Sequence, residues 1–279
     1  TKKRINAAVS FFLRSSNTNQ KTHFSYYGRS KTKVFLRYVQ YPIIEKYRQR
    51  FIDTNLSKKI ISEYPFIFYP LHEEPERTLL LGAPFYTNQI EIIRHIAKSL
   101  PVGYLLLVKE HPSQKVRGWR KISFYKEIMN IPNVVLLHPS LTFSDLLQES
   151  TLVISISGTA ILEAAFYEKP SIVFATTVFS NLSFVKKVAS IPDLPVIIRE
   201  SLMKKVDLIE LDRFITMYEE NSFDFDYIWF QKECFERFFY GGHLADVEIS
   251  EENMKAFLKQ YELEFENLTN EYLKKIQQH

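Results

Sequence analysis

The chain has 279 residues, of which 46% are apolar, with a formal net charge of +4 and one cysteine. That length allows one large α/β domain or two small ones, and the apolar fraction excludes disorder as a description of the whole. A lone Cys234 excludes an internal disulfide, no run approaches the roughly 20 apolar residues of a spanning helix, and no signal peptide is visible, so a cytoplasmic setting is expected.

Residues 1–60 are basic: Lys and Arg recur from Lys2 to Lys59, opposed only by Glu45 and Asp53. Such a segment is either a solvated helical arm or a contact for an anionic membrane face or polyanionic glycan. Tyrosines are interleaved with the charges, but no nucleic-acid motif accompanies them, so no nucleic-acid partner is expected. Positions 34–52 have helical spacing interrupted at Pro42. Residues 1–64 read as a basic helical connector or the remnant of a preceding domain.

From Pro65 short apolar runs alternate with amphipathic stretches. Strands are predicted at 65–71, 104–109, 133–137, 151–156 and 171–175, with a last one at 195–198. Helices are predicted at 86–99, 120–130, 145–149 (capped by Ser144) and 160–167. This β-α-β-α succession predicts an α/β fold, a Rossmann-like parallel sheet over 65–205 with helical N- and C-terminal flanks. Residues 206–279 read as helical, with one long amphipathic helix over 251–276.

In an open parallel sheet, ligands gather at the carboxyl ends of the strands. Polar loops follow the first four predicted strands, beginning at His72, Lys109, His138 and Ser155. The turn Ser157-Gly158-Thr159 opens a helix, where unpaired amides and the helix dipole suit a phosphate; an ordinary helix cap is the plainer alternative. Glu163, in the apolar run AILEAAF, is expected on a buried face and therefore paired or turned to a ligand. His111, before Pro112, suits donation to a phosphate oxygen. Lys109 offers positive charge; it and Glu110 either pair or point to opposite faces. His138 repeats the His-Pro pattern. His72, Glu73, Glu74 and Glu76 suit acid/base work or sugar hydroxyls, without a metal-ligand spacing. Strand-end histidines satisfied by backbone, and a solvated acidic loop, are the alternatives. No Walker-type phosphate loop, dinucleotide glycine fingerprint or nucleophile elbow is present.

The run YPLHEEPE (69–76), Gln89, LPVGYLLLVKEHP (100–112), NVVLLHP (133–139) and ISGTAILEAAFYEKPSIVF (156–174) resembles the capsule polysaccharide biosynthesis family, which includes Kdo transferases. The resemblance implies a GT-B glycosyltransferase: two Rossmann-like domains, a donor nucleotide on the C-terminal one, no metal or other cofactor. By that analogy the donor is a CMP-sugar and the acceptor a glycan or glycolipid. His111, Ser157 and Thr159 would contact the CMP phosphate with Gly158, Lys109 and His138 nearby. Glu163 would meet the ribose or base, and His72 and Glu76 would line the cleft near the sugar. About 64 residues precede Pro65, so the resemblance places the acceptor domain outside this chain. A UDP-sugar transferase, a UDP-sugar 2-epimerase and a non-catalytic nucleotide-sugar- or glycan-binding module remain alternatives. Peripheral attachment to the inner face of the membrane through residues 1–60 is a further expectation.

Overall fold

The computed structural model describes residues 2–13, 31–61, 63–244 and 247–277. Arg14, Lys21 and Arg29 of the basic segment, with His23 and His279, lie outside the described residues. The chain forms two compact units, one of residues 41–216 and one combining 1–40 with 217–279. The elements in chain order are α1 (Lys2–Leu13), α2 (Lys31–Asn55), β1 (Phe66–Pro70), α3 (Arg77–Leu80), α4 (Gln89–Ser99), β2 (Leu105–Lys109), α5 (Gln114–Arg117) and α6 (Ile122–Met129). They continue as β3 (Val134–Leu137), α7 (Phe143–Glu149), β4 (Leu152–Ser155), α8 (Ala160–Ala165), β5 (Ser171–Val173), β6 (Val185–Lys187), α9 (Leu194–Leu202), α10 (Leu208–Glu220), α11 (Tyr227–Phe238), α12 (Glu251–Gln260) and α13 (Glu262–Gln277).

Six parallel strands make the sheet, in the order β3-β2-β1-β4-β5-β6. The chain winds outward from β1 through β2 and β3, then returns to lay β4 on the other side of β1. At that reversal the connecting loops leave in opposite directions and open a crevice at the carboxyl ends of the strands.

Alternation along β1 divides the core. Ile67 and Tyr69 pack with Ile93 and Ile96 of α4, Tyr125 and Ile128 of α6, and Ile197 and Ile198 of α9. Phe66 and Phe68 face the opposite layer, with Leu146 and Leu147 of α7 and Ala164 of α8. Each buried large apolar side chain contributes about 1.5–3 kcal/mol, so both layers fix the register of the central strands. In the other unit, α11, α12 and α13 pack around Phe238, Phe257 and Tyr261, with the first two rings 4.9 Å apart.

Several expectations are corrected. Residues 195–198 are helix, not strand: α9 buries Leu194, Ile197, Ile198 and Ser201, a helical spacing, and Pro195 sits in its first turn, where a missing N–H costs nothing. The sixth strand is β6, whose Lys186 and Lys187 are exposed at the sheet edge. Pro42 does not interrupt α2, which runs through it. Thr142, not Ser144, precedes the first turn of α7. The span 251–276 is two helices, broken at Tyr261, whose hydroxyl reaches Glu233 at 2.8 Å. No helix among the described residues is long and apolar enough to cross a membrane.

Candidate functional site

A cavity of about 450 Å³ opens at the carboxyl ends of β1, β2 and β4. Its walls include His72 and Glu76 from the loop after β1, Lys109 and His111 at the end of β2, and Ser157, Gly158, Thr159 and Glu163 from the corner between β4 and α8. The fold thus gathers eight of the sequence-nominated residues into one hollow at the strand-order reversal.

His138 is the exception. It follows β3, the outer strand of its half, and does not line the cavity. Its Nδ1 lies 2.6 Å from Ser140 Oγ and its Nε2 3.0 Å from Asp53 Oδ1. The hydrogen bond from His138 lowers the Asp53 carboxyl below its usual range. With both nitrogens engaged, the ring ties the exit of β3 to α2 and is not available to a phosphate.

Past Pro70, two glutamine side chains stand in for a neighbouring strand. The Gln89 amide receives the His72 N–H at 2.8 Å and donates to the His72 carbonyl at 3.1 Å. The Gln114 amide does the same for Glu74, at 2.8 and 2.9 Å. The backbone that presents His72 is therefore fixed although it belongs to no strand.

The β4–α8 corner is more closed than the sequence suggests. The Gly158 amide donates to Ser155 Oγ at 3.1 Å, and the Ser157 amide to His72 Nε2 at 3.4 Å. These two amides, expected to face a ligand, are spent inside the protein. Ser155 Oγ lies 3.1 Å from the same His72 nitrogen. An Nε2 that accepts from an amide carries no proton, so the Ser155 hydroxyl donates to it and the neutral ring bears its proton on Nδ1. Burial, then the charges of His111 and Arg120, push the His72 pKa down to about 4. A Cβ on Gly158 would meet Ser155 Oγ at 3.1 Å and His72 at 3.4 Å, a tight fit that glycine avoids. The Ser157 hydroxyl is buried with no partner. Glu163 is exposed, contrary to expectation, because Ile161, Ala164 and Ala165 take the core face of α8; the Thr159 hydroxyl donates to it at 3.1 Å.

Lys109 and Glu110 point to opposite faces. Lys109 is 3% exposed, its ammonium 5.8 Å from the Phe143 ring centroid, and it has no carboxylate partner among the described residues. Burial lowers its pKa, with Glu110 acting against that shift. Glu110 is fully buried and takes hydrogen bonds from Arg120 Nε, the Tyr125 hydroxyl and the His111 amide at 2.9, 2.9 and 2.8 Å. His111 Nδ1 accepts from the Ser113 amide at 3.2 Å, so a neutral His111 keeps Nε2–H to donate.

Arg120, Gln114 and Tyr125 carry no motif and were not anticipated. One signal was present: Glu110 directly follows an apolar strand, and a carboxylate buried there requires a cation and donors. Among the described residues, no group of three or more His, Cys, Asp or Glu is placed to hold a metal ion.

The family described as capsule polysaccharide biosynthesis protein matches residues 6–184. No curated protein matches the chain. Solved structures with a similar course include KpsC, beta Kdo 2,7 transferase, from Thermosulfurimonas dismutans, at 15% identity over 64% of this chain and 55% of that one, with a TM-score of 0.39. The UDP-GlcNAc 2-epimerase from Methanocaldococcus jannaschii aligns at 17% identity over 64% of this chain and 52% of that one, with a TM-score of 0.42. The chain spans about half the length of each.

Proposed function

The chain belongs to the capsule polysaccharide biosynthesis family, and from that membership we propose that it is the donor-binding half of a GT-B glycosyltransferase of surface polysaccharide assembly. The donor is a CMP-activated, Kdo-like sugar, and the acceptor a hydroxyl of a glycan or glycolipid. One observation carries the reading: Lys109 is buried at the cavity wall with no carboxylate in ion-pair contact among the described residues, and only the more distant charge of Glu110 offsets its burial. A buried ammonium is costly unless an anion meets it, and a donor phosphate supplies one.

In the proposed reaction the acceptor oxygen bonds to the anomeric carbon as the bond from that carbon to the phosphate oxygen breaks. CMP departs with the electron pair. Lys109 and His111 Nε2–H face the negative charge that develops on the leaving phosphate and stabilise it. The acceptor proton passes to Glu76 or to a carboxylate of the acceptor domain. Calorimetric titration with CMP and UDP tests this reading. Binding of CMP that greatly exceeds UDP, lost in Lys109→Ala and His111→Ala, supports it. Preference for UDP moves the chain to the UDP-sugar enzymes, and binding of neither ends the nucleotide-sugar reading.

The proposal extends to peripheral contact with anionic lipid at the inner face of the membrane. In α2, Ile43 and Tyr47 are 71% and 68% exposed one turn apart, beside exposed Lys46 and Arg50. Apolar side chains flanked by basic ones suit an interface with anionic headgroups. Sedimentation with phosphatidylglycerol vesicles but not phosphatidylcholine ones, abolished in Lys46→Glu/Arg50→Glu, is the expected result; equal behaviour in both vesicles removes the contact.

A further inference from the structure

Arg120 is 8% exposed and does not line the cavity. All three of its guanidinium nitrogens are nevertheless committed to the loops that do. Nε donates to Glu110 at 2.9 Å and Nη2 to the His72 carbonyl, while Nη1 forms an ion pair with Glu74 at 2.6 Å without hydrogen-bond alignment. Glu110 in turn accepts the His111 amide at 2.8 Å.

We propose that Arg120 is a positioning residue that sets the separation of the His72 and His111 imidazoles. The backbones of the two loops are last joined where the Leu71 amide meets the Lys109 carbonyl at 2.9 Å. Beyond that point two side chains join them: Gln114, which clamps Glu74, and Arg120, which links the His72 carbonyl to Glu110 and so to the His111 amide. Stacking on Phe124, 4.7 Å from the ring centroid, holds the guanidinium plane in place. A planar fork with three directed nitrogens can span these partners together; an ammonium, with the same charge, cannot. The charge is therefore secondary to the geometry, which makes lysine the informative substitution.

The role in the cavity rests on the donor-site reading, but its first readout needs no ligand. Histidine side-chain NMR across pH is compared in the wild-type protein and Arg120→Lys. His72, buried against the β4–α8 corner, is expected to titrate at least one pH unit higher in the variant, as the loosened loop admits water. CMP affinity is expected to fall at least tenfold. A variant with wild-type His72 titration and wild-type affinity overturns the proposal and leaves Arg120 as a stabilising ion pair. If Arg120→Lys does not fold, Glu74→Gln decides, since its amide oxygen can still accept from Gln89 Nε2 while its nitrogen replaces the oxygen that pairs with Nη1: a smaller His72 shift in the same direction supports the proposal, and no shift overturns it. Absence of CMP binding in the wild-type protein ends the donor reading alone, since the His72 titration still judges Arg120.

Discussion

The Ser157 amide donates to His72 Nε2 across 3.4 Å, so an imidazole delivered by β1 completes a helix corner delivered by β4. That bond crosses the reversal in strand order. It gives His72 a defined tautomer and turns the polar corner inward, leaving Lys109 and His111 as the groups proposed to meet an anion.

His72 makes stability depend on pH. Its folded pKa, about 4, lies below the ordinary 6.5 because burial disfavours the charged ring. Between those values the unfolded chain binds the extra proton, so stability is full above about pH 6.5 and falls as pH drops toward 4. The effect amounts to about 3 kcal/mol. Urea denaturation of the wild-type protein and His72→Gln at several pH values should show the wild-type advantage shrinking over that window. A constant difference contradicts the burial argument.

Gly158→Ala places a methyl against Ser155 and His72, which are held to each other. The expected cost is about 1–3 kcal/mol of stability, with CMP binding weakened. Thermal melts and titration check this; a variant as stable and as avid as its parent means that the corner yields easily.

Ser155→Ala removes the acceptor of the Gly158 amide and the donor to His72. Leaving a buried amide unsatisfied costs about 1–3 kcal/mol. The diagnostic is that His72 should keep its proton on Nδ1, because the Ser157 amide still donates to Nε2, and the nitrogen shifts of the ring report this. A ring that changes tautomer shows that the Ser155 hydroxyl, not the amide, sets it.

Lys109→Met should separate stability from binding. It replaces a buried ammonium that has no ion-pair partner among the described residues with a chain of similar length, so the free protein gains about 1–3 kcal/mol. CMP affinity should drop at least tenfold, and inorganic phosphate should raise the melting temperature of the wild-type protein only. A free variant that melts below its parent shows that Lys109 has a stabilising partner.

The sheet was legible because parallel strands bury both faces and read as unbroken apolar runs, such as YLLLV and LVIS. The same feature misled at 195–198, where Ile197 and Ile198 are the buried side of a helix turn and Val196 faces out; only Pro195 at the first turn distinguishes the two. The site was legible as a set of loops following strands, since the fold alone brings those to one rim. Its internal wiring was not. His72 and Ser157 are 85 residues apart, as are His138 and Asp53, and nothing local announces either contact. The exposure of Glu163 turned on which side of a short helix meets the core, a choice that one charged residue in an apolar run leaves open.

The amide clamps of Gln89 and Gln114 extend solvent protection past the last hydrogen-bonded strand residue. The backbone hydrogens of His72 and Glu74 are held by side chains anchored on α4 and α5, so their exchange with bulk water is governed by opening of those helices rather than by fraying of the sheet. The ligand-facing rim thereby inherits the rigidity of its neighbours, and slow deuterium uptake there would mark a recognition surface assembled before any substrate arrives.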